Sequence, residues 1–266
     1  MRTPAVAFQF YPGVASELKA AVKGFLKEPV EKREAMGLIV PHAGYIYSGK
    51  VAGSVYSEVT IPDTVILLGP NHTGLGDRVS IMDSGIWEMP FGSIPIDESL
   101  ASLILRGSGL ISSDSLAHLR EHSLEVQLPF ISYINPDVRI IPITVMLLDY
   151  SSCVEIGNAL ARAIKDYSER VLIVVSSDMD HYEDHNITKK KDRMAIDKII
   201  QLDPEAMYDE VRDMDISMCG MVPAAIGLVA CKELGAKEAK LIDYATSGDV
   251  SGDYDQVVGY AGIVIR

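Results

Sequence analysis

Residues 64–74 read TVILLGPNHTG, and the fold turns on how this stretch is interpreted. Thr64–Leu68 is a short aliphatic run without polar alternation, which reads as a strand covered on both faces. It runs straight into Gly69-Pro70-Asn71-His72, where turn formers and a histidine follow. The same arrangement occurs twice more. GLIV at 37–40 leads into Pro41-His42-Ala43-Gly44, and VLIVV at 171–175 leads into Ser176-Ser177-Asp178-Met179-Asp180-His181. Strands are expected over Met36–Val40, Thr64–Leu68, Val138–Val145, Val171–Val175, Ala239–Ala245 and Gln256–Ile265. Helices are expected over Ser151–Tyr167, Thr188–Gln201, Pro204–Asp213 and Cys219–Leu234, with Asp203 capping Pro204 in a first turn. Strands alternating with helices imply an α/β fold: a mixed, mostly parallel central sheet flanked by helices.

In open α/β sheets the loops at the carboxyl ends of the strands form the ligand crevice. His42, His72 and His181 all fall there, so their imidazoles are expected to gather. A lone histidine after a strand is more often a hydrogen-bonded loop residue; three at equivalent positions, among only six in the chain, point to a site. Cys219 opens a predicted helix, where the positive end of the dipole favours thiolate and hence metal binding. The competing reading is a small buried apolar residue, the role assigned to Cys153 and Cys231. In Glu121-His122-Ser123-Leu124-Glu125, a helix would put His122 and Glu125 on one face, as metal ligands, as groups orienting a ligand imidazole, or as a capping and surface pair, with the last two favoured over direct ligation. His118 and His185 read as exposed and inert, and Trp87 as a loop residue or one packed on the sheet edge.

Composition narrows the function. The net charge is -13, from 24 basic and 37 acidic side chains, so no nucleic-acid or membrane partner is expected. The dense basic run Lys189-Lys190-Lys191 reads as a solvated helix start. The longest uncharged apolar stretch, Met218–Cys231, is interrupted by Gly220, Pro223 and Gly227 and is too short for a bilayer. The N-terminal MRTPAVAFQFYPG has no signal pattern, and three cysteines make no disulfide framework, so a cytoplasmic location is expected. PHAGYIYSGK lacks P-loop spacing, and no dinucleotide fingerprint occurs, so no nucleotide cofactor is expected. No linker or repeat divides the 266 residues. Homo-oligomerisation is left open.

Taken together, RTPAVA, PHAGYIYSG at 41–49, LLGPNHTG at 67–74, MPFG after Trp87, EHSLEVQLPF at 121–130, SSDMDHY at 176–182, Cys219-Gly220 and GYAGIVI at 259–265 resemble the Memo family. The motifs run in order along nearly the whole chain, as one domain over 1–266. Two positions depart from the family pattern: Phe8, where glycine is usual, and Asp180, where a neutral residue is expected. The Memo fold is similar to that of class III extradiol ring-cleavage dioxygenases. That resemblance implies His42 and His72 as metal ligands, Cys219 in place of the usual carboxylate, and His181 as acid/base with Asp178 beside it. Asn71, His122, Glu125, Tyr47 and Asp180 are placed around the pocket. The implied cofactor is one divalent or redox metal, iron first, with copper or zinc as alternatives. The implied activity is that of a metal-dependent oxidoreductase. A phosphopeptide-binding module and a zinc hydrolase are the competing readings, and the ligand is a small molecule or peptide in the metal pocket.

Overall fold

The computed structural model describes residues 1–27 and 31–266. The strands are β1 (Gly37–Val40), β2 (Thr64–Pro70), β3 (Val79–Ile81), β4 (Ile86–Met89), β5 (Gly92–Pro95), β6 (Ser112–Ser113), β7 (Arg139–Val145), β8 (Val171–Ser176), β9 (His181–Glu183), β10 (Ala239–Thr246) and β11 (Val257–Ile265). The helices are α1 (Ala15–Phe25), α2 (Tyr45–Ser57), α3 (Glu98–Gly107), α4 (Leu128–Ile134), α5 (Tyr150–Asp166), α6 (His185–Ile200), α7 (Pro204–Asp213), α8 (Met221–Glu233) and the short α9 (Gly248–Ser251).

Nine strands form one sheet in the order β10-β11-β1-β8-β2-β7-β3-β6, with β9 paired to β11. The four central strands, β1, β8, β2 and β7, are mutually parallel, while β11 joins β1 and β3 joins β7 in antiparallel fashion. Strand side chains alternate between two apolar cores. Ile39, Ile66, Leu68, Ile143 and Ile173 face the core shared with α5 and α8. Leu38, Val40, Val65, Leu67, Leu172 and Val174 face the core shared with α1, α2 and α4. Burial on both faces explains why these strands are continuously aliphatic. The chain is thus an α/β protein with a mixed, mostly parallel sheet between helical layers.

Where the expected elements differ, the differences are local. The helix expected from Cys219 begins at Met221, with Gly220 as its N-cap. The basic run lies inside α6, not at its start, and Lys191 pairs with Glu183 at 2.8 Å. His118, expected to be exposed, is fully buried: its ring packs against Trp87 and its carbonyl accepts from Arg2 Nε at 2.7 Å. Trp87 is itself fully buried in β4, beneath the Arg2 guanidinium at 4.0 Å. Among the described residues no helix is long and apolar enough to cross a membrane.

Candidate metal centre

Parallel β1, β8 and β2 end on the same edge, so the loops after them meet. There they enclose a cavity of about 610 Å³ lined by Phe10, His42, Ala43, Gly44, His72, His122, Asp178, His181, Tyr182, Ser217, Cys219, Val258 and Tyr260. His42, His72 and His122 each offer a ring nitrogen, and these nitrogens all lie within 4.8 Å of one another. Imidazole nitrogens sharing one ion at about 2.0–2.1 Å lie roughly 3.4 Å apart in tetrahedral geometry, so a small closure of the rings would complete such a site. His42 is buried, His122 half-buried and His72 exposed. The three-histidine cluster can hold a metal ion.

Hydrogen bonding fixes how the rings present themselves. Ser176 gives its single hydroxyl hydrogen to the Ser123 carbonyl at 2.6 Å. It must therefore accept from His42 Nδ1, 3.0 Å away, as it also accepts from Gln127 Nε2 at 2.8 Å. His42 is thereby held as the Nδ1–H tautomer with Nε2 free. His72 Nδ1 donates to Glu121 Oε1 at 2.9 Å, which leaves its Nε2 free as well. His181 Nδ1 donates to the Ser217 carbonyl at 2.9 Å, with the same result. His122 stacks on His72 at 4.5 Å between centroids and is covered by Phe10 at 4.7 Å.

Electrostatics keep the cluster ready for a cation. Burial pushes His42 well down, and the neighbouring His122 and His72 rings add to the effect. Burial likewise lowers His122, against the opposing pull of Glu121. Both rings are therefore neutral near pH 7, the form that ligates. Glu121 is fully buried, and burial alone would raise its carboxyl. The hydrogen bond and charge of His72 and the Ser123 N–H instead hold it down at about 2. Its two oxygens accept from His72 N, His72 Nδ1, His122 N and Ser123 N at 2.6–2.9 Å.

Cys219 stands beside the cluster. Its Sγ is 3.3 Å from His42 Nε2 and accepts from Asp178 N at 3.3 Å. The mutually close donor set contains the three imidazoles and not Cys219. Gly220 makes this position accessible, since a Cβ there would lie 2.3 Å from Ser177 Cβ. The expected dipole activation does not occur. The thiol precedes the first turn of α8, and burial, together with the Asp178 carboxylate, pushes it up. The thiol is therefore the resting form.

Of the remaining expected residues, His181 and Asp178 line the cavity. Asp178 Oδ1 accepts from His42 N at 2.7 Å and Ala43 N at 3.3 Å, and burial raises its carboxyl against those bonds. Asn71 shapes the loop that carries His72, accepting from Thr73 N and Gly74 N, each at 3.0 Å. It lines a smaller neighbouring cavity of about 300 Å³, whose wall also includes His72 and Cys219. Tyr47 lies in the first turn of α2 and is outside the cavity lining. Asp180 points away: its Oδ1 accepts from Ser217 N and Ser217 Oγ, each at 2.8 Å, beneath the loop that bears Cys219. Glu125 does not reach an imidazole. It pairs with Arg2 at 2.6 Å and accepts from Tyr11 Oη, Ala5 N and Val6 N, pinning the N-terminal segment.

Sequence reasoning passed over three contributors. In the EHSLE motif helical spacing selects Glu125 and not Glu121 as the partner of His122; residues 125–127 instead form a 3-10 turn. Ser176 and Tyr260 stand in the motifs SSDMDHY and GYAGIVI, but nothing local marks them out from their neighbours.

Imidazoles gathered at the carboxyl ends of parallel strands, in a sheet covered on both faces, define an α/β protein with a metal-competent strand-end pocket. A profile for Memo-like proteins matches residues 2–264. The chain belongs to the Memo family. It is 42% identical to a MEMO1 family protein of Methanopyrus kandleri over 279 aligned residues, covering 100% of this chain and 99% of that one. It is 44% identical to a MEMO1 family protein of Aquifex aeolicus, covering 99% and 98%. Among solved structures, an uncharacterised Escherichia coli K12 protein matches with TM-score 0.56 and 11% identity, over 86% of this chain and 98% of that one, a likeness of fold.

Proposed function

We propose that the chain is a metal-dependent oxidoreductase acting on a small molecule, with the ion held by His42, His72 and His122 and with Cys219 within reach as a further donor. The observation that carries this reading is the convergence of three ring nitrogens within 4.8 Å in the floor of an open cavity. Iron or copper would supply redox capacity and open positions for oxygen and substrate. The protein's own groups handle protons. His181 presents a free Nε2 to the cavity, fixed by the Ser217 carbonyl, and can accept a proton from a bound molecule. Asp178, raised by burial, can hold a proton and return it.

A zinc hydrolase is the second reading, favoured by three imidazole nitrogen donors, a set that zinc uses in catalytic sites. A phosphopeptide module finds less support, because no lysine or arginine lines the cavity.

The test is metal analysis of protein purified without oxygen, wild type beside His42→Ala. Near-stoichiometric iron or copper, lost in the variant together with reductant-dependent oxygen uptake, supports the oxidoreductase. Zinc alone, with ester hydrolysis, supports the second reading. Oxygen uptake unchanged in a metal-free His42→Ala protein overturns the first.

A further inference from the structure

Tyr260 lies on β11 opposite Ala245 and is 2% exposed. Buried tyrosine hydroxyls normally find partners. In this chain Tyr11 donates to Glu125, Tyr45 to the Val126 carbonyl, Tyr56 to Gln127 and Tyr244 to Asp192. Among the described residues the Tyr260 hydroxyl has none: its surroundings offer burial and the nearby Asp178 carboxylate, but no hydrogen bond. Nor is the oxygen sealed in the core, for the residue lines the cavity beside His42, Asp178 and His181.

The other side chains facing this space have little to donate. Ser217 Oγ gives its hydrogen to Asp180 Oδ1 at 2.8 Å. His181 gives its Nδ1 hydrogen to the Ser217 carbonyl, and Cys219 Sγ lies against His42 Nε2. Burial and the Asp178 carboxylate push the Tyr260 phenol up, so it stays protonated and always donates. Phe10 and Val258 supply apolar walls, and the exposed Tyr182 stands at the rim.

We propose that Tyr260 is a ligand-binding residue: its hydroxyl donates to one oxygen of a small monoanionic ligand, a carboxylate or enolate with an apolar body, whose charge is met by the ion at the three imidazoles and not by a lysine or arginine side chain. The assignment rests on the metal reading for that charge: the ion and the hydroxyl face the same carboxylate.

The test uses Tyr260→Phe, with Co(II) and benzoate as probes. The hydroxyl bonds nothing in the free protein, so the metal-free variant should melt no lower than wild type. A fall of more than about 3 °C marks a structural role and overturns the proposal. Co(II) affinity should be unchanged. Benzoate affinity of the Co(II)-loaded protein should fall about tenfold or more, the scale of a hydrogen bond to a charged group. Binding of neutral imidazole should not change. Equal benzoate affinity in both proteins overturns the assignment while leaving the metal reading intact. If wild type fails to take up Co(II), the metal reading falls. Calorimetric benzoate titration of the metal-free proteins then decides Tyr260: a tenfold weaker variant supports it, and equal or absent binding refutes it.

Discussion

Glu121 Oε1 receives the Nδ1 hydrogen of His72 at 2.9 Å, while the same carboxylate collects three backbone N–H groups from residues 72, 122 and 123. One buried anion thus sets both the tautomer of His72 and the course of the chain through His122. In Glu121→Gln the amide cannot accept at both oxygens, and His72 loses its fixed orientation. Metal affinity is expected to fall roughly 10–100-fold, read by competition titration with a chromophoric chelator. The carboxyl is held down at about 2 in the folded chain, below its ordinary 4.5. Its stabilisation is therefore complete above pH 4.5 and lost as pH falls towards 2. Wild type should exceed the variant by about 3 kcal/mol at neutral pH, and the gap should close over that window in urea melts.

Glu125 has a different task from its neighbour four residues earlier. Both it and Arg2 are essentially excluded from water, and they pair at 2.6 Å. Removing one partner of a buried pair strands the other charge. Glu125→Ala is expected to cost about 3–5 kcal/mol, seen as a lower unfolding midpoint. Metal stoichiometry of the protein that remains folded should be unchanged. Loss of metal without loss of stability would place Glu125 in the site after all.

Asp192 governs a pH dependence of the opposite sign. It lies beneath Asp180 and Tyr244, accepting from Asp180 N at 2.8 Å and Tyr244 Oη at 2.6 Å. Burial raises its carboxyl from 3.8 to about 7; the Tyr244 and Asp180 donors oppose this, and the charges of Asp180 and Glu183 add to it. Its contribution to stability is complete below pH 3.8 and is lost as pH rises through about 7. Wild type should lose stability across that interval, and Asp192→Asn should flatten the curve. A variant with the same slope would show that another group titrates.

Phe8 adopts φ +68°, a left-handed conformation that costs a non-glycine residue about 1–2 kcal/mol. Its ring is 77% exposed and lies over Gly13. Little packing would be lost in Phe8→Gly, and the backbone strain would be relieved against glycine's greater unfolded-state entropy. The variant is expected to unfold at or above the wild-type midpoint, by up to about 1 kcal/mol, in denaturant titration. A clear drop would mean that the ring packs better than its exposure suggests.

The sheet was legible because two cores leave a distinctive trace. Val65–Leu68 and Val171–Val175 are aliphatic at every position, and only a strand with helices on both sides needs that. The strand-end histidines followed from the same logic, since parallel strands must deliver their loops to one edge. Glu121 and Glu125 could not be told apart, because they share chemistry and differ only in the geometry of a turn. His118 carries no local pattern that separates it from a surface residue; its burial is created by Arg2 and Trp87, distant in sequence. Tyr260 is hidden in an apolar strand, and only the position of the cavity gives its hydroxyl meaning. Short or irregular strands such as Val79–Ile81 and Ser112–Ser113 are held by their neighbours, not by a period of their own.

The donors around the cavity come from positions 42, 72, 122 and 219, and the outermost two are 177 residues apart. An ion clasped among them would behave as a reversible staple, tying the first strand to the loop that precedes the last long helix. Its strength would be felt far from any chemistry. Chelation should loosen the whole crown of loops together, and the fragments of a polypeptide severed between residues 42 and 219, paired through the sheet, should separate at lower denaturant once the ion is removed.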